Sequence, residues 1–279
     1  MTDTRLSAAI AEAELIIIGA GSGLSASSGL DYGDSETFNA RFPGYNNKYG
    51  LRTINEALFF QFPTQEEYYA FWTRFISSVR YKQPAGKPYL DLYHIVENKN
   101  YFILTTNTDG QFQKSGFPLD RICSPQGDLA YFQCSIPCNS EIYYNEEMIK
   151  EMMASLNEES FIMPTKLIPR CPQCNSPLVP NIRNSEKFIE KHWIENYPKI
   201  NELVKTNKGK NILLLELGVG VNTPGIIRFP FELLTLQRKN TILCRINKSM
   251  GHLSLVGRKE NAILITADIG DLLTSIKGA

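Results

Sequence analysis

The sequence predicts an α/β protein: a doubly wound, Rossmann-type parallel sheet with an inserted helical module and a small four-cysteine zinc-binding module. Three observations lead there. Short apolar runs recur along the chain, each about the length of a buried parallel strand and each ending in small or polar residues. A glycine-rich turn, Gly19-Ala20-Gly21-Ser22-Gly23, follows the first of them. Four of the 6 cysteines form two close pairs in one polar, proline-containing segment.

Composition narrows the class. The chain has 279 residues, 43% apolar and 21% charged, enough to bury a sizeable core. Lys plus Arg and Asp plus Glu both number 29, so the net charge is zero and no basic run points to nucleic acid. The early apolar run Leu15–Ile18 is too short for a signal-peptide core or a membrane span. A cytoplasmic protein that binds neither membrane nor nucleic acid is expected.

Residues 4–13 carry apolar positions at helical spacing and precede a buried strand, Glu14–Ile18. Further strands are expected at Tyr101–Thr105, Ile212–Leu217, Thr241–Ile246 and Ala262–Thr266. Residues 195–206 and 223–238 read as crossover helices. Two segments break the rhythm. Residues 32–85 are rich in Phe and Tyr at spacings that fit several packed helices, as a lid or helical module. Residues 129–189 hold the paired cysteines and are too polar to build much core unaided. The Rossmann-type domain is then assembled from residues 1–31, 86–128 and 190–279.

Each motif has a functional and a structural reading. Glycines after a first strand let backbone N–H groups approach a pyrophosphate, but Leu24 breaks the usual fingerprint, and a tight strand-to-helix turn needs the same residues. Thr105-Thr106-Asn107-Thr108-Asp109-Gly110 follows a strand, where such sheets bind ligands; an Asx turn capping the next helix is the alternative. Cys134, Cys138, Cys171 and Cys174 could supply four thiolates to a closed tetrahedral zinc site, or be incidental thiols. The histidines read as structural: His94 in a helix facing the core or its edge, His192 beside Trp193 in a charged helix, and His252 in a loop.

Taken in order, the motifs resemble those of the sirtuin superfamily. They are Gly-Ala-Gly, Ser28-Gly29-Leu30-Asp31-Tyr32, Thr-Thr-Asn-Thr-Asp-Gly, Gln126-Gly127 before the first paired cysteine, and Leu178-Val179-Pro180-Asn181-Ile182-Arg183 after the last. Gly218-Val219-Gly220, Ile246-Asn247 and Ile269-Gly270-Asp271 complete the set. The resemblance covers most of the chain and implies NAD as co-substrate and structural Zn²⁺. It places NAD on Gly19, Ala20, Gly21, Ser22, Leu24, Asp31, Tyr32, Thr106, Asn107, Asp109, Gln126, Gly218, Val219, Gly220, Asn222, Asn247, Lys248, Asp268 and Ile269. Asn107, Gln126 and Asp109 take the catalytic positions: Asp109 toward the nicotinamide carboxamide, Asn107 and Gln126 toward the ribose.

The departures redirect the function. Where sirtuins carry His-Gly, this chain has Gln126-Gly127, and glutamine cannot serve as a general base near neutral pH. With its lengthened Gly-Ala-Gly-Ser-Gly-Leu-Ser loop, that substitution resembles the class M sirtuins of microbial pathogens. The resemblance implies protein mono-ADP-ribosylation, a lipoylated glycine-cleavage H-like carrier as acceptor, and a role in oxidative stress. A lysine deacylase with another base, and an inactive NAD or ADP-ribose binding module, are the alternatives.

Overall fold

The computed structural model describes residues 3–157, 159–221, 223–248 and 259–278. Its strands are β1 (Leu15–Ala20), β2 (Tyr101–Thr105), β3 (Ile122–Cys123), β4 (Gly127–Cys134), β5 (Ile142–Tyr144), β6 (Leu178–Ile182), β7 (Ile212–Leu217), β8 (Thr241–Asn247) and β9 (Ala262–Thr266). Six form an all-parallel sheet in the order β3-β2-β1-β7-β8-β9. The strand order reverses between β1 and β7, and the crevice above the carboxyl ends of that pair is where doubly wound sheets bind ligands.

The central strands are apolar apart from Thr105 and Glu216 because both faces are covered: every residue of β1, β2 and β7 is buried, and the Glu216 carboxylate pairs with Arg245 Nε at 2.6 Å. Alternation then sorts them. Ile16 and Ile18 face the helices Thr4–Glu12, Lys87–Val96 and Ile269–Lys277, packing with Leu6, Tyr89, Leu92 and Leu273. Leu15 and Ile17 face the helices Tyr197–Thr206 and Arg228–Gln237 through Ile200, Val204, Ile227 and Phe231. Burying each such side chain contributes about 1.5–3 kcal/mol.

The expected strands all form, with modest changes of boundary. β1 runs on to Ala20, so Gly19 and Ala20 belong to the strand and the turn begins at Gly21. The first crossover helix starts at Tyr197, with Pro198 in its first turn, and the second at Arg228. His94 departs from its expected place. In its helix the buried positions Tyr89, Leu92 and Val96 define the inner face, and His94 lies opposite, exposed, with Nδ1 3.5 Å from Glu97 Oε1.

The aromatic segment and the cysteine segment share one hydrophobic core. Phe38, Phe42, Phe71, Trp72 and Phe75 pack against Phe132, Cys134, Ile149, Cys171 and Leu178. Phe71 is central, stacking on Phe62 at 5.3 Å and Phe75 at 5.9 Å between centroids and meeting Tyr45 edge-on at 5.4 Å. The polar cysteine segment thus borrows its core from the aromatic helices. Its own strands form an antiparallel sheet in the order β5-β4-β6. The π-helix Ser77–Lys82 ends the main aromatic helix and brings Arg80 Nε within 2.7 Å of Asp128 Oδ1, one residue beyond Gly127. No helix among the described residues is long and apolar enough to cross a membrane.

Candidate active site

The loops after β1 and β7 meet over the switch point as bare backbone. Gly21 N–H donates to Leu217 O at 3.0 Å, and Gly23 N–H donates to Gly218 O at 3.0 Å. Gly218 has φ +60°, and a Cβ there would fall 2.5 Å from Gly23 Cα, a separation no side chain tolerates. The short helix Ser22–Ser27 follows, its first turn at the crevice, where Ser22 and Gly23 line the site.

From β2 the chain emerges beside this loop. Thr106 N–H donates to Ala20 O at 3.0 Å, Asn107 N–H to Thr105 Oγ1 at 3.0 Å, and Asn107 Nδ2 to Gly21 O at 3.0 Å. These bonds fix the Asn107 side chain at the carboxyl end of the sheet. Gln126 arrives from the turn after β3. Its carbonyl accepts Arg183 N–H at 2.9 Å, and Gly127, at φ +91°, lies so close to Asn181 that a Cβ would meet its carbonyl oxygen at 2.2 Å. The antiparallel sheet β5-β4-β6 therefore holds Gln126 in place through the end of β6.

Two adjoining cavities sit over these loops. One, of ≈ 290 Å³, is lined by Ser22, Gly23, Ala26, Ser27, Asp31, Tyr32, Gly33, Asn55, Asn247, Lys248 and Ile269. The other, of ≈ 280 Å³, is lined by Ser22, Tyr32, Asn55, Leu58, Phe59, Thr106, Asn107, Thr108, Gln126, Ile182, Arg183, Asn184, Val219, Gly220 and Thr223. Ser22, Tyr32 and Asn55 border both, so the two form one elongated site. Asn247 Nδ2 donates to Val219 O at 3.3 Å, and Lys248 Nζ pairs with Asp268 Oδ2 at 3.1 Å beside the first cavity. Neither a carboxylate nor an imidazole lines the second cavity among the described residues.

Of the residues singled out from the sequence, Ser22, Asp31, Tyr32, Thr106, Asn107, Gln126, Val219, Gly220, Asn247, Lys248 and Ile269 converge on these cavities. Gly19, Ala20 and Leu24 lie beneath them: Ala20 and Leu24 are fully buried, and a Cβ on Gly19 would strike Ile227 and Phe231. Asp109 is also below the floor. It is 1% exposed, and its carboxylate accepts Ser25 Oγ at 2.5 Å and Gln111 N–H at 3.1 Å. Burial pushes its pKa up, against those hydrogen bonds. Asn222 lies outside the described residues.

Asn55, Arg183 and Thr223 line the second cavity without having been singled out as ligand contacts. Arg183 sits inside a recognisable motif and could have been found there. Asn55 lies in an aromatic segment with no local signal; only folding brings it beside Tyr32.

The four paired cysteines converge. Their Sγ atoms all lie within 4.8 Å of one another, with Cys134–Cys174 at 3.5 Å and Cys138–Cys171 at 3.6 Å. Tetrahedral zinc with Zn–S bonds of about 2.3 Å needs sulfurs roughly 3.8 Å apart, so this donor set fits a metal ion.

No protein-family model matches the chain. A curated relative from Staphylococcus aureus (strain Mu50), a protein ADP-ribosyltransferase, is 32% identical over 272 residues, covering 97% of this chain and 85% of the relative. A second, from Fusarium oxysporum f. sp. cubense, a "probable bifunctional ADP-ribose hydrolase/ADP-ribosyltransferase", is 28% identical over 272 residues, 94% of this chain and 45% of the relative. Among solved structures, Sir2 with a p53 peptide and NAD⁺ aligns with 100% of this chain and 98% of its own at TM-score 0.64 and 18% identity. A Sir2 homologue in complex with NAD aligns with 100% of this chain and 93% of its own at TM-score 0.60 and 15% identity.

Proposed function

The chain belongs to the family of protein ADP-ribosyltransferases, and from that premise we propose that it is a class M sirtuin that mono-ADP-ribosylates a lipoylated, glycine-cleavage H-like carrier protein. It is an NAD-dependent enzyme of sirtuin fold. The reaction breaks the bond between nicotinamide and ribose, the electron pair leaving with nicotinamide. An acceptor nucleophile bonds to the same ribose carbon and loses its proton.

One observation carries the reading: Asn107 and Gln126 border one cavity that no carboxylate or imidazole lines among the described residues. His94 and His192 are both exposed and line neither cavity, and His252 lies outside the described residues. Such a site can orient a ribose through amide groups, so its catalysis is positioning and electrostatics, and among the described residues the second cavity offers no carboxylate or imidazole for the base step of deacylation. The loops at Gly21–Gly23 and Gly218–Gly220 hold the phosphates, and Asn247, Lys248, Asp268 and Ile269 the adenosine half. Asp109, from beneath the floor, supports the nicotinamide side. The identity of the carrier rests on the resemblance of Gln126 and the lengthened glycine loop to the class M pattern. A role in oxidative stress rests on the same ground, and a cytoplasmic setting on the shortness of the apolar run Leu15–Ile18.

The four thiolates hold Zn²⁺ as a structural ion in this reading, since their spacing matches a closed tetrahedral site.

The test is intact-mass spectrometry of a lipoylated H-like carrier incubated with this protein and NAD, beside an acetyl-lysine peptide. A carrier that gains one ADP-ribosyl group, with nicotinamide released and the peptide unchanged, is expected. A deacetylated peptide and an unmodified carrier would overturn the reading.

A further inference from the structure

We propose that Tyr89 is a positioning residue for ADP-ribosyl transfer: its hydroxyl locks the Asn107 amide so that Oδ1, not the NH₂ group, is presented to the cavity. The inference rests on the function proposed above for Asn107, and it is built from a hydrogen-bond chain behind the cavity wall.

Asn107 Nδ2 lies 3.0 Å from Gly21 O and 3.1 Å from Tyr89 Oη. A peptide carbonyl can only accept, so nitrogen and not oxygen must face Gly21. The second hydrogen of the same nitrogen then serves Tyr89, whose oxygen accepts it. That directs the Tyr89 proton away from Asn107 and toward Ser25 Oγ, at 3.1 Å. Ser25 in turn donates to Asp109 Oδ2 at 2.5 Å, and Asp109 Oδ1 accepts Gln111 N–H at 3.1 Å. The chain runs one way, from the cavity wall to a buried carboxylate. With both amide hydrogens spent inside the wall, Oδ1 is the polar atom Asn107 has left for a ligand.

The chain is dry except at its cavity end. Tyr89 is fully buried, Ser25 and Asp109 are each 1% exposed, and Asn107 is half-buried. In such surroundings an unmade hydrogen bond is costly, so each member enforces the next. Burial also pushes the Tyr89 phenol well above its ordinary range, keeping it protonated as donor. Its ring meets Phe112 edge-on at 5.0 Å within the core, so the hydroxyl cannot swing away. Tyr89 lines neither cavity and acts on a ligand through Asn107 alone. An acceptor oxygen suits ribose hydroxyls and the positive charge that gathers on the ribose during transfer; an amide turned the other way would meet both with N–H.

The test compares the full-length protein with Tyr89→Phe, which keeps the ring and removes only the hydroxyl. Nuclear magnetic resonance of the Asn107 side-chain amide without NAD should show at least tenfold faster exchange with water in the variant. Nicotinamide release should fall about tenfold in kcat, with KM for NAD within twofold. Adding Ser25→Ala to Tyr89→Phe should cost little more, because both cut the same chain. If Tyr89→Phe does not fold, Ser25→Ala alone carries the same measurements. Unchanged amide exchange with unchanged kcat, or a loss confined to KM, would overturn the proposal. If the unaltered protein releases no nicotinamide from NAD, the transferase reading fails, while the exchange measurement still decides whether Tyr89 orders Asn107.

Discussion

Gly23 and Gly218 stand back to back at the point where the strand order reverses, so close that a Cβ on Gly218 would lie 2.5 Å from Gly23 Cα. The two loops proposed to approach a pyrophosphate as backbone are also each other's packing surface. Gly218→Ala combines this clash with a positive φ, and a destabilisation of about 2–4 kcal/mol is expected, read by urea denaturation. NAD affinity should fall with it, and a variant of native stability and affinity would show that the contact has slack.

Gln126 and Asn107 border the second cavity; truncating Gln126 should leave the fold alone, whereas truncating Asn107 also removes its hydrogen bonds to Gly21 O and Tyr89 Oη and should cost about 1–2 kcal/mol of stability. Gln126→Ala and Asn107→Ala are each expected to slow ADP-ribosyl transfer about 10- to 100-fold, or roughly 1.4–2.7 kcal/mol of barrier. The thermal midpoint of Gln126→Ala should stay within about 2 °C, and that of Asn107→Ala should fall by about 2–4 °C. Transfer at the unaltered rate in both variants would remove these residues from the reaction.

Cys134 and Cys171 belong both to the sulfur cluster and to the core shared with the aromatic helices. Chelation of the metal should therefore loosen that whole domain rather than one loop. Elemental analysis should find one zinc per chain. Cys134→Ser should lose it and expose the Trp72 and Phe71 environment to water, seen as a red-shifted tryptophan emission. A metal-free chain with native emission would make the cluster a set of reduced thiols.

Asp91 fastens the C-terminal helix to the helix Lys87–Val96. Its carboxylate is 3% exposed and accepts from Lys87, from Lys277 at 2.9 Å and from Thr274 at 2.8 Å. Burial opposes its ionisation, but the hydrogen bonds from Lys87, Lys277 and Thr274 prevail and hold its pKa down at about 2. The folded value lies below the unfolded one of about 3.9, so the pair's contribution is fully present above about pH 5 and disappears as pH falls toward 2. Because the lysines reach solvent, about 1–2 kcal/mol is expected. Asp91→Asn should lose this much at pH 7 and show a flatter stability curve between pH 4 and 2. Parallel curves for the two proteins would exclude the linkage.

Much was legible in the chain. The apolar runs gave the strands because a parallel strand covered on both faces has to be apolar along most of its length, as Leu15–Ala20 is and Ile212–Leu217 is apart from Glu216. Side-chain chemistry gave the metal candidates, since four thiols in two close pairs can meet only if the intervening segment folds back. The presence of Gln126 where sirtuins carry a titratable His is likewise a matter of sequence: no fold lets the glutamine amide take up a proton near neutral pH.

The tertiary structure alone decided who touches whom across long separations. Asp109 sits one residue from cavity-lining Thr108, yet lies beneath the floor, where Ser25 Oγ and Gln111 N–H donate to its carboxylate. Tyr89 reads as an ordinary helix residue, and only the packing of its helix against the sheet brings its hydroxyl to Asn107 and Ser25. Asn55 joins the site by the same route. Local patterns in a sequence report which face of an element is apolar. The partner of a buried polar atom is set by how elements dock, and that information is spread over the whole core.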